Sequence, residues 1–128
     1  DGLEQEDWAG WTKLSKTLPS GVMIIGDDLV STNAKRLQKA IDNQSCNAVI
    51  VKPNQIGTIT ETVELMRLAQ KNNITTIVSH RSGETNDSFI ADFAVGMGAN
   101  YAKFGAPDRG ERVAKYNRLL EIESFLHL

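Results

Sequence analysis

Cysteine, long apolar runs and a leader segment are scarce or absent in this 128-residue sequence. Because Cys46 is the single cysteine, no disulfide can form within the chain. Its place beside the apolar run Ala48–Val51 indicates a buried, inert thiol. No stretch approaches the roughly 20 consecutive apolar residues that a membrane-spanning helix needs. No signal peptide is recognisable either, so we expect a protein without a membrane span, with the cytoplasm as the default location.

Positive charge is not in excess. The chain has 14 Lys and Arg residues against 16 Asp and Glu residues, a net charge of -2, and the basic residues form no run. A nucleic-acid groove needs a basic face that neutralises phosphates, so we expect no nucleic-acid partner. Hydrophobic residues make up 41% and charged residues 23% of the chain, which is typical of a folded domain and not of a disordered segment. The length suits one domain.

Four short apolar runs predict buried strands at residues 22–26, 48–51, 75–79 and 101–104. They lack the clean alternation of a strand with one wet face, as expected for a sheet that is covered on both sides. Helical patterns lie before and between the runs. The first predicted helix covers residues 4–18, with Trp8 and Trp11 as packing residues, and the second is capped by Asn33 and packs through Leu37, Ala40 and Ile41. The third begins with a capping box of Thr58 and Glu61 and packs through Ile59, Val63 and Met66. The fourth has an apolar stripe of Phe89, Ile90, Phe93, Ala94 and Met97, and the fifth covers residues 111–125, with Val113, Asn117 and Leu120 on one side.

The alternation of strands and helices predicts an α/β fold with a parallel sheet. Four strand–helix units fit either a small open doubly wound sheet or half of an eight-stranded barrel. Both architectures place functional residues at the carboxyl ends of the strands. Each predicted strand does end in polar or charged residues: Asp27 and Asp28, then Lys52 and Pro53, then His80, Arg81 and Ser82, and finally Lys103. We expect these groups to converge on one rim.

Taken singly, each of these groups has an ordinary structural interpretation, such as a helix cap or a solvated loop. Together they form a chemically consistent set. The Asp27 carboxylate suits a hard divalent cation such as Mg²⁺, and the Arg81 guanidinium with the Ser82 hydroxyl suits a phosphate. Two lysines, Lys52 and Lys103, can divide proton abstraction and carboxylate binding between them.

Four blocks of the sequence resemble enolases in order and spacing, and the resemblance covers essentially all 128 residues. The blocks are GDDL at 26–29, KPNQIGT at 52–58, SHRSGET at 79–85 and KFGAP at 103–107, of which SHRSGET is the most specific. One departure is Pro53, where enolases usually carry a branched residue. Proline removes a backbone donor there, so we expect a local change of geometry that leaves the preceding lysine itself unaltered.

The resemblance implies that residues 1–128 are the C-terminal portion of the enolase barrel domain. The parallel strand–helix units would then form the C-terminal half of an enolase-type TIM barrel, with the N-terminal domain and the first half of the barrel absent. It also implies the activity of phosphopyruvate hydratase, a lyase of glycolysis and gluconeogenesis. This enzyme interconverts 2-phosphoglycerate and phosphoenolpyruvate, with Mg²⁺ as cofactor.

The resemblance further implies a role for each matched residue. Asp27 corresponds to one of three carboxylate ligands of Mg²⁺, and Lys52 to the base that removes the C2 proton of 2-phosphoglycerate. Arg81 and Ser82 correspond to the residues that hold the substrate phosphate, and Lys103 to the lysine that contacts the substrate carboxylate. Two Mg²⁺ ions and Lys103 would stabilise the dianionic intermediate more than the ground state. No definite role follows for His80.

Other family features lie outside the matched blocks. In enolases the two other metal carboxylates and the general-acid glutamate lie upstream, so we expect the isolated chain to be inactive. We expect the parent protein to be a cytoplasmic homo-oligomer, with a surface or secreted location as a secondary possibility known for enolases. The isolated chain is expected to self-associate, because four parallel strands leave two sheet edges unpaired.

Two alternatives remain at this stage. A receiver domain switched by aspartyl phosphate also has an acidic pair after its first strand, but it needs an aspartate at the end of the third. Here that strand ends in Ser79, His80 and Arg81. The second alternative is a non-enzymatic binding role, because enolases also occur as surface or complex-binding proteins. A measured turnover in the full-length parent would distinguish it from an enzyme.

Overall fold

A computed structural model describes residues 1–127 of the chain. Helices and strands alternate along it. In chain order they are α1 (Trp8–Thr17), β1 (Ile25–Gly26), α2 (Ala34–Asp42), β2 (Ala48–Val51), α3 (Pro53–Ile56), α4 (Ile59–Lys71), β3 (Thr75–Ser79), α5 (Phe89–Gly96), β4 (Tyr101–Lys103) and α6 (Gly110–Leu126).

The strands form one parallel four-stranded sheet in the order β1-β2-β3-β4. Between β1 and β2, Ile25 lies opposite Ala48 and Gly26 opposite Val49. The predicted α/β class with a parallel sheet is therefore confirmed. β2 and β3 have the predicted bounds, whereas β1 is shorter because Val22 and Met23 are exposed and lie outside the strand.

The predicted burial of the fourth strand is wrong. All three residues of β4 are exposed, with Tyr101 at 55%. β4 lies at the edge of the described sheet, so one side of the strand has no neighbour in the strand order. Phe104, which we had included in the strand, follows it and is buried.

The helix starts follow the capping chemistry that the sequence predicts. The Asn33 side chain accepts hydrogen bonds from the backbone amides of Lys35 and Arg36, and the Thr58 hydroxyl accepts one from the amide of Glu61. These bonds satisfy donors that the first turn of a helix leaves unpaired. α1 begins four residues later than predicted, because the Asp7 carboxylate caps it by accepting from Gly10.

The chain divides into two compact units, Asp1–Ile77 and Val78–Leu128. In the first unit α2 packs against α4, and the buried residues of these helices are Leu37, Ala40, Thr62, Leu65, Met66 and Ala69. In the second unit α5 packs against α6, and α5 buries Ala91, Phe93 and Ala94. Each unit thus covers the apolar side of its own helices, which gives it a hydrophobic core.

Several predicted packing residues are exposed instead. Ile59, Phe89 and Leu120 stand at 44%, 48% and 63% exposure. Ile59 and Phe89 are the first residues of α4 and α5. Trp11 is buried as expected, whereas Trp8 is half-buried and carries the cations of Arg36 and Lys39 over its ring.

Cys46 is buried, and its burial raises the pKa of the thiol to about 11. A thiol with so high a pKa stays protonated and weakly nucleophilic at neutral pH. The interpretation of Cys46 as a buried, inert thiol is therefore confirmed. Among residues 1–127, no helix combines the length and the apolar character that crossing a membrane requires.

Residues 1–128 produced alone are expected to self-associate. An exposed strand at a sheet edge presents unpaired backbone donors and acceptors to a second chain, and β4 is such a strand. Light scattering should give at least twice the chain mass of 14.1 kDa. The Tyr101→Lys variant, which puts a charge on the exposed edge, should reduce the association. A monodisperse 14.1 kDa monomer of the unaltered chain would contradict the expectation.

Candidate functional site

Asp27 and Lys52 meet at the ends of two neighbouring strands of the first unit. Asp27 follows β1 and Lys52 follows β2. The Lys52 ammonium donates to both carboxylate oxygens of Asp27, with Nζ–Oδ distances of 2.6 Å and 2.8 Å. Both side chains are largely removed from solvent, at 14% and 20% exposure. The structure thus brings together the predicted base and the predicted metal ligand as one ion pair.

The backbone around Lys52 is fixed on both sides. Lys52 is the N-cap of α3, and Pro53 occupies the first position of that helix. An amide at this position would have no partner within the helix, so proline fits there without loss. The Lys52 amide donates to the Thr32 hydroxyl at 2.9 Å, and that hydroxyl donates to Gln55. Pro53, which departs from the enolase pattern, is therefore the first residue of α3. This short helix was not among the elements predicted from the sequence.

The neighbouring carboxylates of Asp1 and Asp28 also accept hydrogen bonds. The Asp1 carboxylate accepts hydrogen bonds from the amides of Asp27 and Asp28, at 2.8 Å and 2.7 Å. The Asp28 carboxylate accepts from the Gln55 side chain at 3.4 Å. These contacts hold the turn after β1 in place.

The donor set in this chain does not by itself make a magnesium site. Within residues 1–127, no three His, Cys, Asp or Glu side chains come together as a group that could hold a metal ion. Asp27 offers oxygen ligands of the kind that Mg²⁺ prefers, but both of its oxygens contact the Lys52 ammonium. Among residues 1–127, Asp27 therefore offers oxygen ligands without a group of further ligands beside it.

In the second unit, the loop after β3 carries His80, Arg81 and Ser82. The His80 amide donates to the Lys103 carbonyl at 2.9 Å, which joins the end of β3 to the end of β4. Ser82 and Lys103 are exposed, and Arg81 is half-exposed. Within this unit, the end of β3 therefore lies next to the end of β4. The first precedes Arg81 and Ser82, which are predicted to bind the substrate phosphate, and the second carries Lys103, which is predicted to bind the substrate carboxylate.

A buried ion pair lies behind this loop. The Lys115 side chain is 0% exposed, and its Nζ lies 2.7 Å from Oε2 of Glu84, whose side chain is 13% exposed. The same ammonium donates to the carbonyls of Thr85 at 2.5 Å and Glu111 at 2.8 Å. The other carboxylate oxygen of Glu84 accepts from the Arg81 amide at 2.9 Å. Three acceptors therefore surround the buried ammonium, as a charge removed from water requires.

The electrostatics of Glu84 follow from these contacts. Burial by itself raises the pKa of the Glu84 carboxyl. Hydrogen bonds from Lys115 and from the Arg81 amide, together with the charges of Lys115 and Arg112, outweigh burial and hold that pKa below its ordinary value of 4.5. Glu84 is therefore a carboxylate at neutral pH.

Arg112 holds the loop from the other side. Its two terminal nitrogens donate to the carbonyls of Arg81 at 2.8 Å and Ser82 at 3.0 Å. Gly105 makes room for this arrangement with a φ of +83°, and a Cβ there would lie 3.1 Å from His80 and 3.2 Å from Arg112. A side chain at this position would be strained in its backbone and crowded by both neighbours.

The predicted site residues thus fall into one group in each unit, Asp27 with Lys52 and Arg81 with Ser82 and Lys103. Their convergence on one common rim stays a prediction. Sequence reasoning missed Arg112 and Lys115, and it assigned nothing to Glu84 within the SHRSGET block. A lysine is rarely buried, and the local pattern of α6 gives no sign that Lys115 is an exception.

The comparison with known proteins agrees with the blocks that carry the resemblance. The family described as "Enolase, C-terminal TIM barrel domain" matches residues 1–127. The chain is 56% identical over 123 residues to an enolase of Helicobacter pylori strain HPAG1, covering 96% of the chain and 29% of that protein. It is 55% identical over 126 residues to an enolase of Ureaplasma parvum serovar 3, covering 98% of the chain and 28% of that protein. A Helicobacter hepaticus enolase is 53% identical over 123 residues, 96% of the chain and 29% of that protein.

The chain therefore spans less than a third of the length of these curated relatives. The match is to a TIM-barrel family and not to an open doubly wound sheet. The receiver-domain alternative is excluded on this ground, and the barrel alternative is the correct one.

His80 is expected to titrate below its ordinary pKa of 6.5. Burial lowers the pKa first, the charges of Arg112 and Lys103 lower it further, and Glu84 opposes them. Because the folded-state pKa is depressed, the neutral form is favoured. The contribution of His80 to stability is present above pH 6.5 and falls as the pH drops toward the depressed pKa.

An NMR titration, with the His80 signal assigned by a His80→Gln variant, measures the pKa of His80. The Lys103→Met variant should raise the midpoint of that titration, because it removes a positive charge. A midpoint at or above 6.5 would show that the described surroundings do not govern His80.

Proposed function

Because the chain belongs to the Enolase, C-terminal TIM barrel domain family, we propose that it is the C-terminal part of the barrel of a longer enolase. That enzyme is a phosphopyruvate hydratase, which reversibly dehydrates 2-phosphoglycerate to phosphoenolpyruvate. The observation that carries the proposal is the Asp27–Lys52 ion pair at the ends of neighbouring strands, in a chain that matches the family over residues 1–127.

Lys52 is the base in this proposal. The C2 proton of the substrate is weakly acidic, because its removal places a second negative charge on the neighbouring carboxylate. A lysine can accept that proton only as the neutral amine. The Lys52 ammonium must therefore release one proton to solvent and leave its contact with Asp27 before it acts as the base. The low solvent exposure of the Lys52 side chain supports this role, since exclusion of water strengthens each electrostatic contact with the substrate.

Lys103 and the loop after β3 bind the substrate in this proposal. The Arg81 guanidinium offers a planar fork of donors that matches phosphate geometry, and the exposed Ser82 supplies a hydroxyl. Lys103, also exposed, contacts the substrate carboxylate. Its positive charge stabilises the dianion more than the ground state, because the negative charge develops during proton removal.

Asp27 is one oxygen ligand of Mg²⁺ in this proposal, in a set completed by residues outside this chain. The isolated chain is then inactive, since neither a full ligand set nor a general acid is present among the assigned residues. The parent protein is proposed to be a cytoplasmic homo-oligomer that acts on this small-molecule substrate. Nothing in the charge balance favours a nucleic-acid partner.

Replacing Lys52 in the full-length protein should abolish exchange of the C2 proton of 2-phosphoglycerate with solvent deuterium. Lys52→Arg is the sharper variant. It keeps a cation beside Asp27, but a guanidinium stays protonated and cannot act as a base. We expect a loss of about a hundredfold or more in the exchange rate, in the range known for general bases.

The control for this experiment is Lys35→Ala, which removes an exposed lysine of the same unit. It should leave the exchange rate unchanged. Exchange close to the unaltered rate in both Lys52→Arg and Lys52→Ala would contradict the assignment of Lys52 as the base.

A further inference from the structure

We propose that Arg112 and Lys115 are positioning residues that hold Arg81 and Ser82 in the geometry needed to bind phosphate. This proposal rests on the proposed function, because it takes Arg81 and Ser82 as the residues that bind the phosphate. It adds two residues of α6 that belong to none of the four blocks resembling enolases.

The positioning contacts use main-chain atoms of the loop. Arg112 donates to the carbonyls of Arg81 and Ser82, and Glu84 accepts from the Arg81 amide. Lys115 donates to the Thr85 carbonyl. These bonds fix the loop on both sides of Ser82 and occupy neither the Arg81 guanidinium nor the Ser82 hydroxyl. The loop is therefore held by a set of contacts distinct from the groups proposed to bind phosphate.

The burial of Lys115 indicates that it does more than stabilise the fold. A buried ion pair contributes little net stability compared with well-packed apolar residues of similar size, because both charges lose their hydration. The Lys115–Glu84 pair, at 0% and 13% exposure, is therefore not expected to stabilise the fold more than an apolar pair of similar size would. The contact does confer a fixed geometry, because the ammonium has three acceptors at defined positions, two of them in the loop.

A fixed geometry matters for binding of a phosphate. A displacement of about 1 Å in a binding group can reduce the rate by about a hundredfold. Ser82 and Gly83 are exposed and belong to no helix or strand, so regular backbone hydrogen bonds do not hold this part of the loop. The hydrogen bonds from Arg112 and Lys115 of α6 hold the loop instead. α6 in turn packs against α5 within the same unit.

The test compares two arginines of α6 in the full-length protein. Arg112→Lys keeps the charge but loses the fork that reaches two loop carbonyls at once. Arg118→Lys makes the same change at a residue that binds Asp92 and Glu121 and does not contact the loop in the bonds described for it. We expect Arg112→Lys to raise KM for 2-phosphoglycerate about tenfold with little change in kcat, and to weaken competitive inhibition by inorganic phosphate equally. Arg118→Lys should change neither.

An Arg81→Lys variant separates this proposal from the function on which it rests. If Arg81→Lys raises KM and Arg112→Lys does not, the positioning role is overturned while the phosphate assignment stands. If Arg81→Lys leaves KM and phosphate inhibition unchanged, the phosphate assignment fails and the positioning role fails with it. Equal effects of Arg112→Lys and Arg118→Lys would show a general structural role of α6 and would also overturn the proposal.

Discussion

Charges that are removed from water must find partners, because an unpaired buried charge is strongly unfavourable. This requirement organises the turns in both units of the chain. In the first unit the Lys52 ammonium contacts both carboxylate oxygens of Asp27. In the second unit the fully buried Lys115 contacts Glu84 and two carbonyls. These two pairs fix side-chain geometry next to the candidate residues.

The two pairs serve different purposes in our account. Asp27 and Lys52 are themselves the proposed metal ligand and base, so their contact has to open when the substrate and its ion are bound. Glu84 and Lys115 contact no proposed ligand and hold a loop by its backbone, so their contact stays closed throughout. The lysines differ in burial in the same sense, since Lys52 keeps 14% exposure whereas Lys115 keeps none; the carboxylates of Asp27 and Glu84 keep 20% and 13%.

Much of the fold could be predicted from local chemistry. β2 is a continuous apolar run, and β3 is a run of four β-branched residues that ends in Ser79. The caps Asn33 and Thr58 act through bonds between neighbouring residues. The predictions that were wrong concerned burial, which depends on the neighbouring elements of the fold. All three residues of the edge strand β4 are exposed, and Leu120 is exposed although its spacing on α6 matched a packed face.

The candidate site shows the same division. The candidates Asp27, Lys52, Arg81, Ser82 and Lys103 could be proposed from the sequence because they stand in blocks that resemble a known family. Lys115 could not, since its burial arises from contacts with a loop 30 residues earlier in the chain. The short helix α3 was also missed, although Pro53 fits its first position well.

A double-mutant cycle between Glu84 and Lys115 tests the central claim most directly, namely that a buried ion pair holds the loop after β3. The unfolding free energies of Glu84→Gln, Lys115→Met and the double variant of the full-length protein would be measured by urea denaturation. We predict a coupling energy of about 2–3 kcal/mol, because either single change leaves an unpaired buried group. The more exposed pair of Arg118 and Asp92, at 39% and 41%, should give no more than about 1 kcal/mol. A Glu84–Lys115 coupling no larger than that of the exposed pair would contradict the account.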